Sequence, residues 1–121
     1  MGPSSKIDHL LVEYFEYHKK PYEYTDMVGG SDFLPFLLEG IPSGGLLTGA
    51  GGKKTMEQRT RFGGFANAPL DPCYHQSCDT LENVSKEALG IMSQAALYAI
   101  TKLSKAKNLR EWLAEADLQL M

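Results

Sequence analysis

Ser31-Asp32-Phe33-Leu34-Pro35-Phe36-Leu37-Leu38-Glu39-Gly40-Ile41-Pro42-Ser43-Gly44-Gly45-Leu46-Leu47-Thr48-Gly49 joins a short helical pattern to an apolar run bracketed by glycines. Ser31 and Asp32 are favoured N-cap types, Pro35 is tolerated in a first helical turn, and Gly40 suits the residue that closes a helix. The run from Ile41 to Gly49 has the length and apolarity of a buried strand. Upstream, Tyr22-Glu23-Tyr24-Thr25 alternates apolar and polar residues in the manner of a short strand, and Gly29-Gly30 marks a turn. Strand, helix and strand in that order predict a right-handed crossover with at least partly parallel pairing. The expected fold class is therefore α/β.

Outward from this segment, helical periodicity dominates. Ile7, Leu10, Leu11, Tyr14 and Phe15 recur at helical spacing from Ser5 to about Lys19, and Pro21 is expected to end that helix. Ser85 can cap a long helix running to about Ser104. Ala88, Ile91, Met92, Ala95, Ala96, Ala99, Ile100 and Leu103 build its apolar face, which is expected to pack on the sheet. Asn108 with Glu111 forms a capping box for a last helix over about 108–120, with Leu109, Trp112, Leu113, Ala116 and Leu120 as its stripe. Residues 49–79 are rich in glycine and proline and carry at most a turn of helix at Thr55 to Arg61. A loop of that length in a small domain is usually functional.

The chain of 121 residues suits one domain, and no Gly/Ser linker splits it. Twelve basic and fifteen acidic residues give a formal charge of -3, without a basic half that would suit a phosphate backbone. Nucleic acid is thus not an expected partner. No run approaches the roughly 20 apolar residues of a membrane helix, and the first residues lack a signal-peptide apolar core, so no membrane partner is expected either.

Chemistry concentrates in Asp71-Pro72-Cys73-Tyr74-His75-Gln76-Ser77-Cys78-Asp79-Thr80. Cys73 and Cys78 suit either a local disulfide or a metal site. His75 is the only histidine outside the first helix, and a neutral imidazole on a rigid loop is a good zinc ligand. Tyr74 could donate a hydrogen bond to charge developing on a carbonyl oxygen. A structural zinc held by Cys73, His75 and Cys78 would lack a fourth ligand. His9 and His18 fall on or near the polar face of the first helix and need no function there. Asn83-Val84-Ser85 is a glycosylation sequon. The chain has no His-Glu-x-x-His motif, no paired glutamates and no Gly-x-Ser-x-Gly elbow, so neither a complete metal site nor a serine triad is encoded in it.

Three blocks, Gly30 to Phe36, Gly40 to Ala50 and Asp71 to Thr80, resemble the closing third of the di-zinc aminopeptidases, a family of secreted leucine aminopeptidases and vacuolar aminopeptidase Y. The likeness runs over about 2–103, and the Cys-Tyr-His-Gln-x-Cys-Asp block is its most diagnostic part. The resemblance implies a three-layer αβα sandwich, of which this chain would be a part, and removal of N-terminal residues from peptide substrates by water held between two zinc ions. By the same likeness His75 binds one zinc, Tyr74 stabilises the tetrahedral intermediate, and Cys73 and Cys78 are bridged. Leu47 and Phe62 would help line the pocket for an apolar first side chain. A secreted or vacuolar location follows from the family and agrees with the sequon.

The family's His-x-Asp pair, adjacent glutamates and further aspartate ligand have no counterpart here, so His75 is at most one zinc ligand of the set. Gly30 stands where several relatives carry arginine, and Leu47 where an aromatic is common. Two readings follow: the C-terminal portion of a zinc aminopeptidase, incomplete by itself, or a truncated relative acting as a binding or assembly module. Self-association through an exposed sheet edge or the Trp112 helix is expected of such a piece.

Overall fold

The computed structural model describes residues 4–26 and 30–114. In chain order its elements are α1 (Ser5–Tyr17), α2 (Leu34–Leu38), α3 (Met56–Phe62), a 3-10 turn (Leu81–Asn83), α4 (Lys86–Lys105) and α5 (Leu109–Ala114). The chain divides into unit 1, Met1–Gly45 with Gln94–Met121, and unit 2, Leu46–Ser93.

In unit 1, Leu10, Leu11, Tyr14 and Phe15 form the buried stripe of α1, as their spacing dictates. α4 answers with Ala95 and Ala99, one turn apart and small enough for close approach. The Tyr14 hydroxyl donates to Gln94 Oε1 at 3.0 Å, and its ring lies 5.9 Å from Tyr98. Glu13 and Lys102 form an exposed ion pair at 3.9 Å. As residue numbers fall along α1 they rise along α4, so these helices run antiparallel.

The end of α1 departs from expectation. The helix stops at Tyr17, ahead of Pro21, because Lys19 takes a left-handed backbone (φ 52°). Lys19 N–H then donates to Glu16 O and Lys20 N–H to Phe15 O, closing the helix with a Schellman pair. α2 ends in the same way with a glycine at the left-handed position: Gly40 has φ 72°, and Ile41 N–H donates back to Phe36 O. Pro35 sits in the first turn of α2, but neither Ser31 nor Asp32 caps it. α4 starts as the sequence predicts, with Ser85 Oγ accepting from Ala88 N–H at 3.2 Å. α5 starts with Asn108 Oδ1 accepting from Glu111 N–H at 3.4 Å. Leu113 of the expected α5 stripe is buried, and Lys6 Nζ stands 4.6 Å over the Trp112 ring. Ala116 and Leu120 lie outside the described residues.

The expected sheet is absent. Among the described residues there are no strands, neither Tyr22 to Thr25 nor Ile41 to Gly49 pairs with another segment, and the αβα sandwich is corrected to a helical chain. A strand exists only with a ladder partner. Pro42 has no N–H to offer one, and Ser43 N–H donates to Ser4 Oγ at 3.1 Å instead. Tyr22 folds toward α1, its hydroxyl donating to Glu16 at 3.1 Å and its ring 5.9 Å from Phe15. The crossover, the sheet surface expected beneath α4 and the sheet edge expected for self-association fall with the strands.

Unit 2 contains the nearest approach to a ladder. Residues 50–54 run antiparallel to 67–71 through Lys54 N–H to Ala68 O, Asn67 N–H to Lys54 O, Leu70 N–H to Gly52 O and Asp71 N–H to Ala50 O, at 2.7–2.9 Å. Lys53 and Pro69 make one isolated bridge, and no ladder extends from it because Gly52 N–H turns back to Gly49 O and Lys54 O accepts from Asn67 N–H. α3 sits between these limbs. Thr55 and Gln58 form a full capping box at its start, so the turn of helix read at Thr55 to Arg61 is present. Gly49, with φ 104°, begins this arch against Leu70. A Cβ there would overlap Leu70 Cδ1 in a backbone conformation that disfavours side chains. Gly49→Ala is expected to weaken the arch by ~2 kcal/mol, read as a roughly 30-fold loss of hydrogen-exchange protection at Leu70 and Asp71. Unchanged protection would remove this account of the glycine.

Candidate functional site

The arch ends at Asp71, where the cysteine-bearing segment begins. Cys73 and Cys78 form a disulfide with a Cα separation of 5.3 Å, closing a small ring around Tyr74, His75, Gln76 and Ser77. Both sulfurs are thereby committed to each other, which removes the thiolates a Cys73–His75–Cys78 zinc site would need. Gln76 N–H donates to Cys73 O at 2.9 Å, making a four-residue turn with His75 in its third position. His75 has φ 57°, the positive value that this turn position requires and that glycine usually supplies. A histidine there costs local strain, and strain of this kind collects at functional sites.

Tyr74 and His75 stack with ring centroids 3.9 Å apart and planes 19° from parallel. Tyr74 is 42% exposed and His75 is also exposed. A Cβ on Gly51 would lie 3.4 Å from Tyr74 Cδ1, so the loop after Gly49 backs the tyrosine ring. The imidazole nitrogens have no hydrogen-bond partner among the described residues. His75 therefore fits a single coordination position of a zinc ion. No group of three or more His, Cys, Asp or Glu able to hold a metal occurs among the described residues, so the remaining ligands are not supplied by them.

The ring is anchored at both ends by groups that sequence reading left without a structural role. Asp71 Oδ1 accepts from Cys73 N–H at 2.9 Å, an Asx turn that starts the loop. The same oxygen accepts from Asn83 Nδ2 at 3.0 Å, and Asn83 Nδ2 also donates to Asp79 Oδ1 at 3.1 Å. The bond from Asn83, then that from Cys73, holds the Asp71 carboxyl below its ordinary range. Its folded-state value is depressed, so its contribution to the loop is complete above the ordinary carboxylate value and is lost as pH falls through the lowered one. The Asp-x-Cys spacing is the sequence signal of the Asx turn. Asn83, read only as a sequon, has no such local signal because its partners lie four and twelve residues away.

Leu47 is 61% exposed, and Phe62, the last residue of α3, is 40% exposed with the Arg61 guanidinium 5.9 Å from its ring centre. Both are in unit 2 with Tyr74 and His75, as free apolar surface, and no described contact joins them to that pair. In unit 1, His9 lines a groove of about 600 Å³ with Lys6, Glu13, Lys102 and Trp112, and none of the expected site residues takes part in it.

The described geometry is a cysteine-closed loop that presents a stacked, exposed tyrosine and histidine in unit 2. Residues 4–100 match peptidase family M28, and the chain belongs to that family. It is 43% identical over 101 residues to a protein of Aspergillus fumigatus named probable leucine aminopeptidase 2, which covers 82% of this chain. It is 43% identical over 97 residues to the probable lipoprotein aminopeptidase LpqL of Mycobacterium tuberculosis, covering 80% of the chain. It is also 36% identical over 107 residues to leucine aminopeptidase 2 of Trichophyton rubrum, covering 87%. The chain spans about a fifth of the length of these relatives, at 20%, 19% and 22% respectively.

Proposed function

We propose that this chain supplies the C-terminal part of a zinc aminopeptidase site and works only together with segments that carry the other ligands and the catalytic base. The observation that carries this reading is the exposed, unbonded imidazole of His75 held at a strained turn position against Tyr74. Zinc, when bound, supplies Lewis-acid polarisation of the scissile carbonyl and a nucleophile at neutral pH. His75 holds one coordination position through a ring nitrogen. Tyr74 directs its hydroxyl at the carbonyl oxygen as negative charge develops there, while the stack keeps both rings in a fixed relation. Leu47 and Phe62 offer apolar surface to the first side chain of the peptide substrate.

Burial supports the dependence on other segments. Every buried residue described belongs to unit 1, and unit 2, which carries the whole site, has none. Phe36 and Leu38 of α2, at 55% and 77% exposure, are likewise left to water. Apolar surface of this extent normally meets a partner. The disulfide suits an oxidising compartment, and one relative is named a lipoprotein, so the reading includes an extracytoplasmic location.

The chain alone, with added zinc, is expected to show no turnover of a leucyl amide. Assembled with the segments bearing the missing ligands, it is expected to give turnover that a chelator stops. Chelator-sensitive activity from the chain alone would overturn the proposal, as would an assembly whose activity does not need this chain.

A further inference from the structure

The geometry points to Asn83 as the positioning residue of the Tyr74–His75 pair: its carboxamide nitrogen ties Asp71 to Asp79 and so clamps the cysteine ring from outside the disulfide. The two carboxylates flank the ring, one two residues before Cys73 and the other directly after Cys78. A primary amide nitrogen has two hydrogens, and both are used, at 3.0 Å to Asp71 and 3.1 Å to Asp79. Hydrogen bonds to ionised carboxylates are stronger than neutral ones, and here they bring two like charges onto one donor. No other described side chain bonds to both ends of the ring. The 3-10 turn over Leu81–Asn83 sets the donor in place, with Asn83 N–H donating to Thr80 O at 3.0 Å.

A second consequence concerns the sequon. Attachment of a sugar replaces one of the two amide hydrogens and puts a bulky group between Asp71 and Asp79. The hydroxyl residue of the triplet, Ser85, is at the same time the N-cap of α4. The clamp and a sugar at Asn83 therefore compete for the same amide nitrogen.

The clamp is independent of whether His75 binds zinc; only its catalytic consequence rests on the function proposed above. The test uses the whole chain and two readouts. The ring current of the stacked Tyr74 shifts the His75 imidazole protons in NMR spectra. Equilibration with glutathione reports how readily the Cys73–Cys78 bridge is reduced. Asn83→Asp, isosteric but unable to donate, is expected to bring the His75 protons to unstacked positions and to make reduction easier by roughly tenfold. Asn83→Leu, which loses the donors without adding charge, is expected to act in the same direction. Adding Asp79→Asn to Asn83→Asp restores one donor and acceptor pair with reversed polarity and is expected to recover part of both signals. Expressed in a host that glycosylates secreted chains, the oxidised folded fraction is expected to lack sugar at Asn83. Unshifted His75 protons in the parent chain, parental values in Asn83→Asp, no recovery in the double variant, or a glycosylated chain with the parental reduction equilibrium would each overturn the assignment. Altered ring signals with unchanged turnover of the assembled enzyme would leave the clamp standing and count against the catalytic reading.

Discussion

Tyr14→Ala is expected to lower the stability of unit 1 by about 3–5 kcal/mol. Tyr14 is 5% exposed and is the ring around which the α1 and α4 contact is arranged. Phe15 stands edge-on at 5.6 Å, His18 at 4.5 Å and Tyr98 at 5.9 Å. Truncation removes the apolar transfer energy of the ring and leaves a cavity that backbone on two helices cannot easily close. It also strips Gln94 Oε1 of its donor. Tyr14→Phe separates these effects, since it keeps the packing and loses only the hydroxyl, for an expected cost of about 1 kcal/mol. With total stabilities of domains near 5–15 kcal/mol, the alanine variant would hold unit 1 only marginally. Urea unfolding followed by helical circular dichroism reads both numbers. A loss under ~1 kcal/mol for Tyr14→Ala would mean that α1 and α4 are not joined as described.

The two helices were legible because helices announce themselves locally, but their contact was not, since the apolar face of α4 was expected on a sheet. The stripe of α1, the Ser85 cap of α4 and the Asn108 cap of α5 each depend on residues within a turn or two of one another. The sheet was misread for the opposite reason. Alternation at Tyr22 to Thr25 and apolarity at Ile41 to Gly49 report a preference for extended backbone, but pairing is decided by a neighbour that no local pattern can supply. Here the donor of Ser43 goes to Ser4 Oγ, and the nearest thing to a ladder, between 50–54 and 67–71, amounts to a single bridge because Gly52 N–H turns back to Gly49 O. The cysteine block was legible as a unit because its chemistry is compressed into ten residues; those residues left a disulfide or a metal site open, and the bridge was implied by the family resemblance. The supports of the block were less legible. Asn83 carries a sequon that reads as a surface modification, and only the folded chain brings its amide to Asp71, twelve residues back.

Tyr74→Phe in the assembled catalytic domain is expected to lower kcat roughly a hundredfold while leaving KM within a few-fold. The substitution keeps the ring that stacks on His75 at 3.9 Å, so the loop and the imidazole stay where they are. What disappears is one phenolic donor. If that donor meets the carbonyl oxygen only as charge builds on it, the loss falls on kcat, because ground-state binding never used the bond. A hydroxyl that instead bound the resting substrate would raise KM and leave kcat alone. His75→Ala is expected to act differently, weakening zinc retention as well as abolishing turnover, since a ligand lost cannot be replaced by the bridged Cys73 and Cys78 beside it. A Tyr74→Phe variant with parental kcat would remove the tyrosine from the chemistry and reduce its part to holding the histidine by stacking.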